Sequence, residues 1–142
     1  MKNQEVINRK DFLMKMGFGG AALMAALTSC STDSVSASTA ITSFTIDLSS
    51  STYATLKTVG GYVKTNGVII ARIASGDTSS AFAAISRTCP HEKKDKIVYE
   101  STTGRFRCTD HNWVFKTDGS GVGNASISAY TVALSGTTLT IS

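Results

Sequence analysis

Two short segments, Cys89-Pro90-His91 and Cys108-Thr109-Asp110-His111, contain both histidines of the chain and two of its three cysteines. Sixteen residues separate them. A soft thiolate and an imidazole on each of two loops add up to a complete four-ligand metal set, so the fold must bring the two loops together. Two simpler links compete. A Cys89–Cys108 disulfide would stabilise the fold by about 3 kcal/mol through loop closure but gives the histidines no role. A structural zinc accepts two Cys and two His ligands, although zinc fingers usually group like ligands together.

The sequence from Phe44 onward indicates what the loops are mounted on. Phe44, Ile46 and Leu48 alternate with polar residues, as a half-buried strand requires. Tyr62-Val63 and the run from Val68 to Ile73 flank Thr65-Asn66-Gly67, an Asn-Gly hairpin signal. Further short apolar runs occur at Phe82-Ala83-Ala84-Ile85 and Ile97-Val98-Tyr99, and Phe106 stands alone ahead of Cys108. Tyr130, Val132 and Leu134 alternate, Gly136 turns the chain, and Leu139 and Ile141 alternate again. No stretch after Cys30 sustains a helical period. The pattern predicts an all-β domain, a small antiparallel barrel or sandwich with two ligand-bearing loops.

Mixed Cys-x-His and Cys-x-x-His loops resemble those of the Rieske family, in which two histidines replace two cysteines on one iron of a [2Fe–2S] cluster. The resemblance extends upstream through Gly60-Gly61-Tyr62-Val63, Ile69-Ile70-Ala71-Arg72 and Phe82 to Thr88. It extends downstream through Trp113, Phe115 and the glycine-rich residues 118–123. It implies one [2Fe–2S] cluster, with Cys89 and Cys108 on the inner iron and His91 and His111 on the outer, solvent-facing iron. Pro90 would stiffen the first loop.

Departures from the family pattern narrow the expectation. High-potential members carry a second cysteine in each loop, joined as a clamp. Here Asp110 stands at one such place, and residues 92–96 contain no cysteine. Those members also place a Ser two residues and a Tyr four residues beyond the second histidine. Here these are Trp113 and Phe115, which have no hydroxyl to donate toward sulfur. Fewer donors destabilise the more negative reduced state. The expected midpoint therefore falls in the lower half of the Rieske range of about −150 to +300 mV. The sequence looks closer to the ferredoxin and oxygenase-type branch. Lys93, Lys94, Lys96, Arg105 and Arg107 crowd the two loops and offer a basic rim for an acidic redox partner.

The first 29 residues read as an address. Lys2, Arg9, Lys10 and Lys15 precede an apolar run from Phe18 to Leu27 that is short for a membrane span and suits a signal peptide. Leu27-Thr28-Ser29-Cys30 resembles a bacterial lipobox, which makes Cys30 the expected lipidation site. Asn8-Arg9-Lys10-Asp11-Phe12-Leu13 resembles a twin-arginine export motif with lysine at the second basic position. Residues 30–43, the lipidated cysteine followed by small polar side chains, form the expected tether, and 44–142 form the domain.

The net charge of +4 falls to +2 once the four basic and two acidic residues of the signal are set aside. That excess is too small to suggest nucleic acid as a partner. The reading is an exported one-electron carrier, lipid-anchored to a bacterial membrane on its periplasmic or cell-envelope face, with no catalytic site of its own. Its donor and acceptor would be redox proteins such as a cytochrome, a quinol-linked complex or an oxidoreductase subunit. The alternatives are the Rieske subunit of a larger membrane-associated oxidoreductase, of the quinol–cytochrome c reductase or molybdenum type, and a zinc-stabilised binding lipoprotein.

Overall fold

The Asn-Gly turn forms as its sequence predicts. Asn66 and Gly67 adopt φ of 47° and 79°, the left-handed pair that joins strands at a two-residue hairpin. The structure is a computed structural model that describes residues 41–142. The signal segment, Cys30 and most of the tether lie outside the described residues.

Among the described residues, ten short antiparallel strands form three sheets. The first sheet has the order β1 (Phe44–Asp47), β10 (Thr138–Ile141), β9 (Val132–Ser135). The second contains β2 (Tyr62–Thr65), β3 (Val68–Arg72), β4 (Phe82–Ser86) and β8 (Ala129–Tyr130). The third contains β5 (Ile97–Glu100), β6 (Arg105–Cys108) and β7 (Val114–Phe115). The architecture is the all-β one expected. Two 3-10 segments, Ser51–Lys57 and Ser79–Ala81, are additions that no periodicity announced, being too short to show one. The longer is capped by the Ser50 hydroxyl, which accepts from the Thr52 N–H at 3.3 Å, and it drives Leu56 into the core. Among the described residues no helix is long and apolar enough to cross a membrane.

The central strands β3 and β4 are buried on both faces, which explains why they read as continuous apolar runs rather than as alternation. Ile69 and Ala71 of β3, with Ala83 and Ile85 of β4, pack toward the third sheet against Ile97, Tyr99, Phe106, Cys108 and Phe115. Their neighbours Val68, Ile70, Phe82 and Ala84 pack the opposite way, onto Ile46, Leu56, Leu139 and Ile141. Register keeps the two sets apart: Ile69 faces Ile85 and Ile70 faces Ala84. A one-residue slip would exchange the two cores.

This arrangement positions the loops. β4 runs directly into the Cys89 segment, and β5 pairs back so that Ile97 lies opposite Cys108. β6 then delivers Cys108 itself as its last residue.

Candidate metal centre

The two loops are built alike. Cys89 N–H donates to the Lys94 carbonyl at 2.8 Å, and the Cys89 carbonyl accepts from Lys93 N–H at 2.9 Å. Cys108 N–H donates to the Trp113 carbonyl at 2.8 Å, and its carbonyl accepts from Asn112 N–H at 2.9 Å. In both, the fourth residue after the cysteine has left-handed backbone, with φ of 57° at Lys93 and 54° at Asn112. Asparagine adopts this conformation comparatively easily, whereas lysine pays strain for it. The loops are tied to one another where Thr109 N–H donates to the Lys96 carbonyl at 2.9 Å.

Each loop therefore buries its cysteine and holds its histidine outward. Cys89 and Cys108 are 1% and 0% exposed and both are free thiols, so the disulfide alternative is not what joins the loops. One ligand atom each from Cys89, Cys108 and His111 lies within 4.8 Å of the others. His91 lies outside that set and stands beside His111, with ring centroids 4.6 Å apart and nearly edge-on. All four residues singled out in the sequence are thus at one end of the domain, with thiols beneath and imidazoles above.

The environment favours thiolate at the Cys108 sulfur and opposes it at Cys89. Burial opposes ionisation of both cysteines. At Cys108 it is outweighed by hydrogen bonds from the Cys89 thiol, the Asp110 and His111 backbone N–H groups and the His111 side chain, and its pKa falls. At Cys89, burial and the bond given to Cys108 push the pKa up against donors from His91 and Glu92 N–H. Two adjacent sulfurs, each with backbone N–H groups aimed at it, suit a metal-bound thiolate pair better than a pair of neutral thiols. The donor set fits a centre with thiolates on its inner side and imidazoles on its outer side.

One functional neighbour was not visible in the sequence. Glu92 Oε1 lies 3.2 Å from His111 Nε2, while Oε2 pairs with Lys94 Nζ at 2.7 Å. The Lys94 hydrogen bond, aided by the charges of Lys94, His111 and His91, holds the Glu92 carboxyl below its usual value. The basic rim is also less free than its composition suggests. Besides Lys94, Lys96 pairs with Asp110 at 3.5 Å, and Arg107 binds Glu100 at 2.5 Å and the Asn112 amide oxygen at 2.9 Å.

The glycine-rich segment closes over the other side. A Cβ on Gly119, whose φ is 84°, would sit 2.2 Å from the Ile127 carbonyl, so only glycine fits there. The segment holds Val122 70% exposed and forms, with Pro90, His91, Trp113 and residues 124–126, an open groove of about 600 Å³. Trp113 is 37% exposed, its ring centroid 5.3 Å from that of His91.

Residues 45–132 match the Rieske [2Fe-2S] domain family. The chain belongs to that family. It is therefore an iron–sulfur electron carrier that binds a [2Fe–2S] cluster, as its motif resemblance implied, and Rieske proteins pass electrons to redox partners. No curated protein matches the chain by sequence. Among solved structures, the plasma membrane Rieske protein PetC3 of the cyanobacterium Synechocystis PCC 6803 is 23% identical, over 63% of this chain and 92% of that one, with a TM-score of 0.49. The ferredoxin of carbazole 1,9a-dioxygenase from Nocardioides aromaticivorans IC177 is 22% identical, over 59% and 84%, with a TM-score of 0.43.

Proposed function

We propose that Cys89 and Cys108 bind the inner iron, and His91 and His111 the outer iron, of one Rieske [2Fe–2S] cluster. In this reading the domain is a one-electron carrier exported to the cell envelope and held there by lipid on Cys30. The observation that carries the ligand assignment is the pairing of two buried, hydrogen-bonded thiols with two exposed imidazoles at the tips of like-built loops.

The bound cluster would supply a single reversible electron at a potential raised by its neutral imidazole ligands. The chain's own residues would do the rest. The Asp110 and His111 N–H groups stabilise charge on the Cys108 sulfur, and those of His91 and Glu92 do so at Cys89. Phe106, Phe115 and Ile97, all fully buried, keep water from the sulfur side. The exposed imidazoles provide the short path to a partner's redox centre.

Export and anchoring rest on the lipobox-like residues 27–30 and the twin-arginine-like residues 8–13. Redox partners of the kind proposed are a cytochrome, a quinol-linked complex or an oxidoreductase subunit.

Redox titration of the purified protein tests the carrier reading. A red-brown protein that gains a paramagnetic signal on one-electron reduction, with a midpoint in the lower half of about −150 to +300 mV, supports it. A colourless protein containing zinc overturns it. Fractionation tests the anchor: Cys30→Ser should move the protein from the membrane pellet to the soluble fraction.

A further inference from the structure

The two loops share their backbone hydrogen bonds, so residues at the same offset from each cysteine occupy equivalent places. Two residues on from the cysteine stand His91 and Asp110; three residues on stand Glu92 and His111. Glu92 is thus the first-loop counterpart of the second-loop histidine, and the two meet across the local symmetry at 3.2 Å. The other equivalent pair separates. Asp110 turns to Lys96, and His91 packs against the rings of His111 and Trp113.

We propose that Glu92 makes the two ligand imidazoles unequal: its carboxylate caps His111 and lowers the midpoint potential, leaving His91, in the groove with Trp113 and Val122, as the ring a redox partner meets. The inference rests on the four-ligand reading above. Glu92 is a positioning residue. Its carboxylate accepts from the Nε2–H of His111, which fixes the ring's orientation and leaves Nδ1 as the nitrogen available to iron. A fixed anion beside the outer iron's ligand disfavours the more negative, reduced state. Lys94 holds the second carboxylate oxygen and so keeps Glu92 in place, while partly offsetting its charge.

A ligand atom of His91 also lies within 4.8 Å of the Glu92 carboxylate, but the ion-pair contact is to His111, and His91 borders the groove instead. Pro90, Trp113, Val122 and Ala125 line it around the ring, with Asn124 and Ser126 as its polar members, and a partner patch with an apolar centre can fill it without displacing an ion pair.

Two readouts on the cluster-loaded protein test this. The first is chemical modification of the wild type with diethylpyrocarbonate, followed by peptide mapping. His91 should be modified well ahead of His111, and in Glu92→Ala the two should react alike. Equal reactivity in the wild type overturns the proposal, whatever any variant does. The second is the midpoint potential. Glu92→Gln, which keeps an acceptor oxygen but removes the charge, should raise it. Asp77→Asn, which removes an ion-paired carboxylate charge where β3 leaves the sheet at its far end, should leave it in place. An unchanged midpoint in a Glu92→Gln protein that still shows the cluster's signal overturns the tuning claim. Absence of the signal from the wild type itself would instead overturn the four-ligand reading.

Discussion

The two faces of the central sheet lead to different kinds of core. Toward the first sheet, Val68, Ile70 and Ala84 meet Leu56, Leu139 and Ile141, a mostly aliphatic layer with Phe82 at its edge, backed by the β1–β10–β9 ladder. Toward the third sheet, Ile69 and Ile85 meet aromatic rings and two cysteines, Cys108 placed by the end of β6 and Cys89 by the loop after β4. The first core is held by burial and backbone pairing, with no ligand-bearing residue in it. The second is completed by whatever joins Cys89 to Cys108, so metal binding and folding should be coupled on one face and independent on the other.

The largest expected effect breaks that second face. Cys89→Ser or Cys108→Ser should abolish cluster binding, read as loss of iron and of visible absorbance. Amide exchange should then speed up across residues 89–127 while β1, β9 and β10 keep their protection. Uniform loss of protection would show that the two faces form one unit.

Next come two adjacent isoleucines that face opposite ways. Ile69→Ala and Ile70→Ala should each cost about 2–5 kcal/mol in denaturant unfolding of the apoprotein, because both side chains are fully buried. Only Ile69→Ala should also speed loss of iron to a chelator. Equal effects on iron loss would contradict the division of the cores.

A smaller effect sharpens the likeness of the two loops. Lys93→Gly relieves left-handed backbone at a lysine and should stabilise the domain by about 1 kcal/mol, a rise in Tm of roughly 4–8 °C. Asn112→Gly, at the equivalent place, should gain less because asparagine tolerates that conformation.

The smallest effect lies in the turn under the groove. The Ser120 hydroxyl and N–H hold the Asp118 carboxyl below its usual 3.8. That contribution is present above pH 3.8 and is lost as pH falls through the lower folded value. Asp118→Asn should therefore flatten the acid limb of thermal stability and leave the neutral range nearly unchanged.

Much of this was legible in the sequence, for identifiable reasons. Strands such as Phe44–Asp47 and Thr138–Ile141 show alternation because one side meets solvent. The hairpin at Asn66-Gly67 has its own chemical signature. The four Cys and His residues stand out because the chain has so few of either. Other features were hidden. β7 and β8 are two residues long, below any period. The run Val68-Ile69-Ile70-Ala71 shows a buried strand but cannot say that its odd and even residues serve different cores. The Glu92–His111 contact depends on the equivalence of two loop backbones whose sequences share only the cysteine. The basic residues near the loops suggested a docking rim by composition, yet Lys94, Lys96 and Arg107 spend their charge on neighbours within the chain.

In the proposed centre two thiolates and two imidazoles, one of each from either loop, hold a single cluster. Pulsed electron–nuclear resonance on the reduced protein, grown with ¹⁵N-histidine, tests it most directly. Strong coupling to two histidine nitrogens is expected, one lost in His91→Cys and the other in His111→Cys. Coupling to no histidine nitrogen, or to one that survives both substitutions, would contradict it.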